Sequence, residues 1–273
     1  MTALDHIVFN TQDRMDEVLT LFERLGFTVS PRGFHTLGSI NHTIVFGADY
    51  LELLGYPAGQ PPAKRPELVT QPVGLMATVL QTSDADAAHA ALSQRGLKPR
   101  PVQTFSRPVD LGARSHGGAL LGDASFRVTR LEPDAVPGTW VYYCQHLTPE
   151  LVWHPPWQTH ANGAMGMRAI DIAVPDVAAA VPRYRACLFD DRPETVGVSG
   201  SSATLPLQEC VICLHQQNRP ARMTGVTFEV ASLNAAQIIL RRANIAHEVT
   251  GLSIRIDPAA TFGATLQLTA LAR

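Results

Sequence analysis

Charge is scarce in this chain, and neither sign prevails. Asp, Glu, Lys and Arg make up 17% of the 273 residues, and the formal net charge is −2. So weak a field favours neither nucleic acid nor an anionic membrane surface, and no Lys/Arg run stands out. Long apolar runs are missing too; none approaches the roughly 20 residues a helical membrane span needs. The opening MTALDHIVFN has no basic region leading into a long apolar segment, so no signal peptide and a cytoplasmic location are expected. Cysteine is sparse: Cys144, Cys187, Cys210 and Cys213 are too few to staple a chain of this length. Cys210 and Cys213 form a C-x-x-C within QECVICLH. That stretch alternates like a strand, and strand positions three apart face opposite ways, so a shared zinc is not expected. G-x-G-x-x-G, P-loop, G-x-S-x-G and H-E-x-x-H patterns are also absent.

Apolar residues are plentiful at 45%, enough for a substantial core. They fall into a repeated order of elements. LDHIVFNTQD (4–13) reads as a strand carrying a histidine. Asp13 is a suitable N-cap for a helix whose apolar positions are Met15, Val18, Leu19, Phe22 and Leu25, and Gly26 stops it. INHTIVF (40–46) and YLELLGY (50–56) follow as a hairpin around GAD. The order recurs. LMATVLQTSD (75–84) precedes an alanine-rich helix over about 85–95, then ASFRVTRL and WVYYCQHL. MRAIDIAVPD (167–176) precedes VAAAVPRYRACL, where Pro182 must sit near the first turns or kink the helix, then SSATLPL and ECVICLHQ. GVTFEVASLN, AAQIILRRAN, LSIRID and ATLQLTAL complete a fourth copy. The fold class expected is α+β, four βαβββ modules paired into two domains. These are residues 1–148 and 164–273, joined by a Pro/Trp/His-rich linker at 149–163.

In this organisation, and in LDHIVFNTQD, GSINHTIVFGADYLELLGYP and CQHLTPELVWHPPWQTHANGA, the chain resembles the glyoxalase-like domain proteins of the vicinal-oxygen-chelate superfamily. That superfamily includes glyoxalase I, extradiol dioxygenases and the bleomycin- and fosfomycin-resistance proteins. The resemblance implies that paired modules close around a cleft. A divalent metal there is held by His and Glu from the first and last strands of the modules. Carried over, those positions fall on His6 and Glu52. In the second module they fall on Ala77 and on Gln145 beside His146. In the third they fall on Ala169 with no acid in CVICL, and in the fourth the late position is Gln267. The second half is therefore expected to be degenerate and the cleft to lie in the first.

The residues also carry plainer readings. His6 alone suits a core histidine with a local partner, and Glu52 between leucines suits a strand edge facing water. Two strong donors are few for zinc, whereas Mg, Mn or Fe can complete a site with water and substrate oxygens. His42 completes a two-His-one-carboxylate set if the hairpin turn has three residues. A two-residue turn brings Asn41 to Glu52's face instead. Gln145 and His146 alternate, so one of them enters the cleft, and the family pattern favours Gln145. Trp153 and Trp157 fit either a cap on the pocket or a stiff strap packed on the core. His116 lies in a Gly-rich loop with Arg114 and Arg107 near it, where a solvated position is the common outcome.

The function expected from the resemblance is a divalent-metal-dependent lyase or isomerase (Mn, Fe, Ni, Zn or Mg) acting on a small oxygenated molecule through bidentate chelation. A ring-cleaving dioxygenase fits less well, because its metal site lies in the half that is degenerate here. The alternative is a metal-free binding or sequestering protein of the bleomycin-resistance type. The partner expected is a small molecule, with a homodimer allowed and no nucleic acid or membrane.

Overall fold

A computed structural model describes residues 2–110, 120–189 and 197–270. His116 and Arg114 lie outside the described residues. The first half runs β1 (Leu4–Gln12), α1 (Met15–Arg24), β2 (Gly33–Phe34), β3 (Ile40–Val45), β4 (Tyr50–Gly55), a short α2 (Glu67–Thr70), β5 (Gly74–Gln81), α3 (Ala85–Gln94), β6 (Gln103–Asp110), β7 (Leu120–Arg130) and β8 (Trp140–His146). The second half runs β9 (Ala164–Val174), α4 (Val177–Leu188), β10 (Gly197–Ser199), β11 (Ser202–Pro206), β12 (Val211–Gln216), β13 (Arg222–Val230), α5 (Leu233–Arg242), β14 (His247–Thr250), β15 (Ser253–Ile256) and β16 (Thr265–Ala270). Each half forms one eight-stranded sheet, with orders β2-β3-β4-β1-β5-β8-β7-β6 and β10-β11-β12-β9-β13-β16-β15-β14. The βαβββ order thus recurs four times, and the matching strand orders show that both sheets are built alike.

Local chemistry explains most helix starts. Asp84 accepts from the backbone N–H of Asp86 and Ala87, Asp176 from Ala179 and Ser232 from Ala235. The first helix differs from the sequence expectation. Residue Asp13 is not its N-cap; Arg14 holds that place without a side-chain bond. The cause is a turn after β1, with Gln12 at φ 50° and Arg14 N bonded to Thr11 O at 2.9 Å, which carries the chain one residue further before the helix begins. Pro182 lies inside α4.

Strand alternation divides the apolar residues between two cores. Ile7 and Phe9 of β1 join the four long helices and the outer faces of both sheets in a common core. Phe27 and Phe46 meet Phe228 across it, with ring centroids 5.2 and 5.7 Å apart. Tyr143 donates to Cys187 O at 2.5 Å, and Tyr184 to Pro137 O at 2.6 Å, so the halves are also hydrogen-bonded together. Cys210 is buried in this core, whereas Cys213 faces the other side of β12. Val8, Val79, Phe126 and Tyr142 belong to a second cluster on the inner face of the first sheet. That sheet curls until its edges approach: Thr36 N, just past β2, donates to Ser106 O of β6 at 3.1 Å. Arg107, expected in a solvated loop, lies in strand β6. Pro108 and an edge position hid it.

Candidate functional site

The curled first sheet encloses a cavity of about 40 Å³ between β1, β3, β4 and β5 on one side and β6, β7 and β8 on the other. His6 reaches it from β1 and Glu52 from β4. Parallel pairing sets Val8 beside Glu52, so His6 and Glu52 share the inner face, and His6 Nε2 lies 3.7 Å from Glu52 Oε2. The His6 ring is stacked on Tyr50 at 4.3 Å. Its Nδ1 is 2.5 Å from Oδ1 of Asp5.

A register shift between Leu4 and His6 against β5 accounts for Asp5. A bulge of this kind re-aims a side chain, and here it turns a fully buried carboxylate toward two imidazoles. His146 Nε2 donates to the same oxygen at 3.0 Å. Burial works to raise the Asp5 pKa, but His146 and His6 outweigh it and hold the value at about 2. Asp5 is therefore an anion that accepts from His6 Nδ1–H. When His6 is neutral, that bond leaves the Nε2 lone pair facing the cavity. Burial works against ionisation of Glu52 also, yet His6 and the Asn41 amide bring its pKa below the ordinary value.

The hairpin has a two-residue turn at Gly47–Ala48, closed by Phe46 N bonded to Asp49 O at 2.8 Å. Thr43 then pairs with Glu52, which sends Asn41 into the cleft and His42 out of it. Asn41 Nδ2 donates to Glu52 Oε1 at 2.7 Å. His42 Nδ1 donates to Ser30 O at 2.7 Å, and its Nε2 accepts from Arg32 at 3.2 Å. Residue Gln145 also faces away: it accepts from Ala85 N at 3.1 Å and donates to Ser83 O at 2.8 Å, tying down the start of α3. In β5 and β8 the partner of Val79 is Tyr142, so Tyr142 occupies the place that Glu52 holds beside Val8. The family pattern favours Gln145 for that place.

Trp153 and Trp157 do not line the cavity. Both rings pack on the inner cluster, Trp153 edge-on to Tyr50 at 5.7 Å and to His146 at 4.8 Å. The linker is strapped to the first half by His160, whose Nδ1 accepts from Thr28 N and whose Nε2 donates to Val45 O, both at 3.0 Å.

Sequence reasoning missed the cations. Arg65, Arg107 and Arg130 line the cavity, each at most 7% exposed. Arg65 is paired with Glu67 of α2. Arg107 and Arg130 form no ion pair among the described residues, and their Nε atoms, like the Tyr142 hydroxyl, have no hydrogen-bond partner. Burial pulls both of their pKa values below the ordinary guanidinium value. His35 also lines the cavity, and burial drives its pKa to about 3, so it is neutral.

Whether these residues suit the divalent metal of the superfamily can be tested on the donors themselves. His6 and Glu52 converge, and an Nδ1 anchor such as Asp5 is what a ligating histidine commonly has. They are only two, however. Ala77 and Tyr142 fill the corresponding places of the second module, and the charges acting on Glu52 include Arg65 and Arg107. Two donors beside buried cations do not fit a resident dication. The one group of three donors among the described residues is Asp5, Cys144 and His146, whose ligating atoms lie within 4.8 Å of one another. Oxygen, sulfur and nitrogen suit zinc. Asp5 Oδ2 and His146 Nδ1 are buried without a hydrogen-bond partner, which suits ligation, but burial holds the Cys144 thiol well above its ordinary pKa.

The inner face of the second sheet carries different groups. Ala169 stands where His6 does, and Cys213, beside Asp171, stands where Glu52 does. Gln267 pairs with Thr227 at the late position of the fourth module. Asp171 and His215 are joined at 2.9 Å on this half-exposed face.

A family model described as "Glyoxalase-like domain" matches residues 4–188. No curated protein matches the chain. Among solved structures, a hypothetical protein from Staphylococcus aureus superposes with TM-score 0.71 at 12% identity, covering 99% of this chain and 100% of that one. A xylose isomerase-like TIM barrel/4-hydroxyphenylpyruvate dioxygenase fusion protein gives 0.64 at 13% identity, over 99% of this chain and 49% of the other. A mutant 4-hydroxymandelate synthase from Streptomyces coelicolor gives 0.58 at 10% identity, over 98% and 92%. At such identities the likeness is one of fold.

Proposed function

Because the chain belongs to the glyoxalase-like domain family, we propose that the first-sheet cavity holds a small oxygenated substrate and moves a proton on it, in lyase or isomerase chemistry that needs no resident metal. The observation that carries this is the line Asp5–His6–cavity, with Asp5 Oδ1 2.5 Å from Nδ1 and Nε2 directed inward. Such an imidazole takes a proton from a C–H beside a carbonyl and returns it elsewhere, a step commonly worth 10²–10⁴ in rate. Glu52 is an anion next to that nitrogen and stabilises the imidazolium that forms. Tyr50 keeps the ring in plane. On this reading residues 1–148 are the working unit, 149–163 a strap, and 164–273 a partner lacking the pair.

A second reading, favoured by one observation, keeps a metal. The Asp5, Cys144 and His146 donors would hold a zinc ion in the wall of the cavity, where it would supply Lewis acidity.

The test is hydrogen–deuterium exchange in D₂O, followed by NMR, on a panel of small 2-oxo acids, hydroxyketones and aldehydes, with and without chelator. At least one compound is expected to exchange faster than in buffer, and His6→Gln to abolish the gain. Exchange that survives His6→Gln, or that vanishes on chelation, contradicts the metal-free reading.

A further inference from the structure

Two buried guanidinium groups that form no ion pair among the described residues are costly. An unpaired charge in a protein interior loses several kcal/mol of hydration, and folded chains rarely keep one unless something binds it. Arg107 is 2% exposed and Arg130 7%. Arg65 in the same cavity has its carboxylate, Glu67; these two have none among the described residues. Arg130 Nη1 donates to Gln103 Oε1 at 2.5 Å, and its Nε is left over.

Their placement is ordered. Arg107 projects from β6. Arg130 lies directly opposite Tyr142 in the pairing of β7 with β8. The Arg130 guanidinium carbon sits 5.1 Å from the Tyr142 ring centre and 5.8 Å from that of Phe105, a position that holds its plane while leaving its edges to donate. Gly33 of β2 leaves room for the Arg107 stem: a Cβ there would come within 2.7 Å of Arg107 Cδ and 2.4 Å of Asn41 Oδ1. The remaining walls include Val8, Leu54, Val79, Phe126 and Val128, which suit an apolar body.

We propose that Arg107 and Arg130, with the Tyr142 hydroxyl, hold the carboxylate of a small organic acid in this cavity. The proposal rests on reading the cavity as the substrate site and names the substrate class: a short carboxylate with an apolar body, its reacting carbon turned toward His6. A planar carboxylate meets guanidinium donors two at a time and takes up the unpartnered N–H groups. A neutral amide offers one carbonyl oxygen and no charge, and so holds them less well.

Thermal unfolding with added acetate, propionate or pyruvate, each beside its neutral amide and beside inorganic phosphate, tests this. Ligand binding to the folded state raises the midpoint by an amount that follows ln(1 + [L]/Kd). At least one acid is expected to raise it, and its amide not to. Arg107→Met should weaken that acid at least tenfold and raise the midpoint of the unliganded protein, because it removes a buried cation that forms no ion pair among the described residues. His6→Gln should keep acid binding, so failure of the proton-transfer reading is distinguishable from failure of this one. Should Arg107→Met not fold, Tyr142→Phe takes its place: it should bind the acid several-fold more weakly at an unchanged or higher unliganded midpoint, and unaltered affinity overturns the proposal. Amides binding as well as acids, phosphate binding in preference to every acid, no shift with any probe, or a lower unliganded midpoint in Arg107→Met overturns it too.

Discussion

The carboxylate of Asp5 lies 2.5 Å from His6 Nδ1, and the same oxygen lies 3.0 Å from His146 Nε2. One buried anion thus fixes the orientation of the imidazole that faces the cavity and of the one behind it. Asp5→Asn replaces an obligate acceptor with an amide that can donate, freeing His6 to carry its proton on Nε2. Exchange activity should fall about a hundredfold or more. Stability should fall by about 1–3 kcal/mol, read from urea unfolding, as two charge-assisted bonds are lost.

His35 and Asp49 should cancel in the pH dependence of stability. Burial lowers His35 from 6.5 to about 3. Its contribution is present above pH 6.5 and is lost as pH falls toward 3. Burial raises Asp49 from 3.8 to about 7, only partly offset by the Met167 N–H. Its contribution is present below pH 3.8 and is lost as pH rises through 7. Between about pH 4.5 and 6 folding therefore releases one proton and binds another. His35→Gln should leave stability rising as pH falls, and Asp49→Asn should leave it rising as pH rises. Each slope should be about 1.4 kcal/mol per pH unit, from denaturant unfolding across that range.

Phe228 ties the halves together through Phe27 and Phe46. Phe228→Ala should cost about 3–5 kcal/mol. Calorimetry should show a single transition at a lower midpoint, because the common core couples both sheets.

Gln145 separates structure from chemistry. Its amide serves Ala85 N and Ser83 O at the start of α3. Gln145→Ala should lower stability by about 1 kcal/mol and leave exchange activity at the wild-type rate.

The fold was legible where its signals are local. Asp84 and Asp176 announce helices because their own oxygens cap them, and INHTIV and YLELLG are β-prone runs on either side of a short turn. The first strand's histidine and the fourth strand's glutamate were legible as a pair through the family pattern. What stayed hidden depends on geometry set at a distance. Asn41 rather than His42 enters the cleft because the turn has two residues, a choice the sequence leaves open. Tyr142, not Gln145, stands in the late position of the second module because pairing across a long crossover sets the register of β8. Asp5 reaches His6 through a bulge that no residue type announces. Arg107 reads as a loop residue until the sheet curls β6 against β2 and buries it.

Metal content of the purified protein, before and after loading with Mn, Fe, Ni and Zn, tests most directly whether His6 and Glu52 move protons or hold a metal. His6→Ala, Glu52→Gln and Cys144→Ala stand beside the wild type. The account predicts far less than one equivalent in all four proteins. One equivalent that is lost in both His6→Ala and Glu52→Gln contradicts it, and one that survives Glu52→Gln but is lost in Cys144→Ala assigns the metal to Asp5, Cys144 and His146.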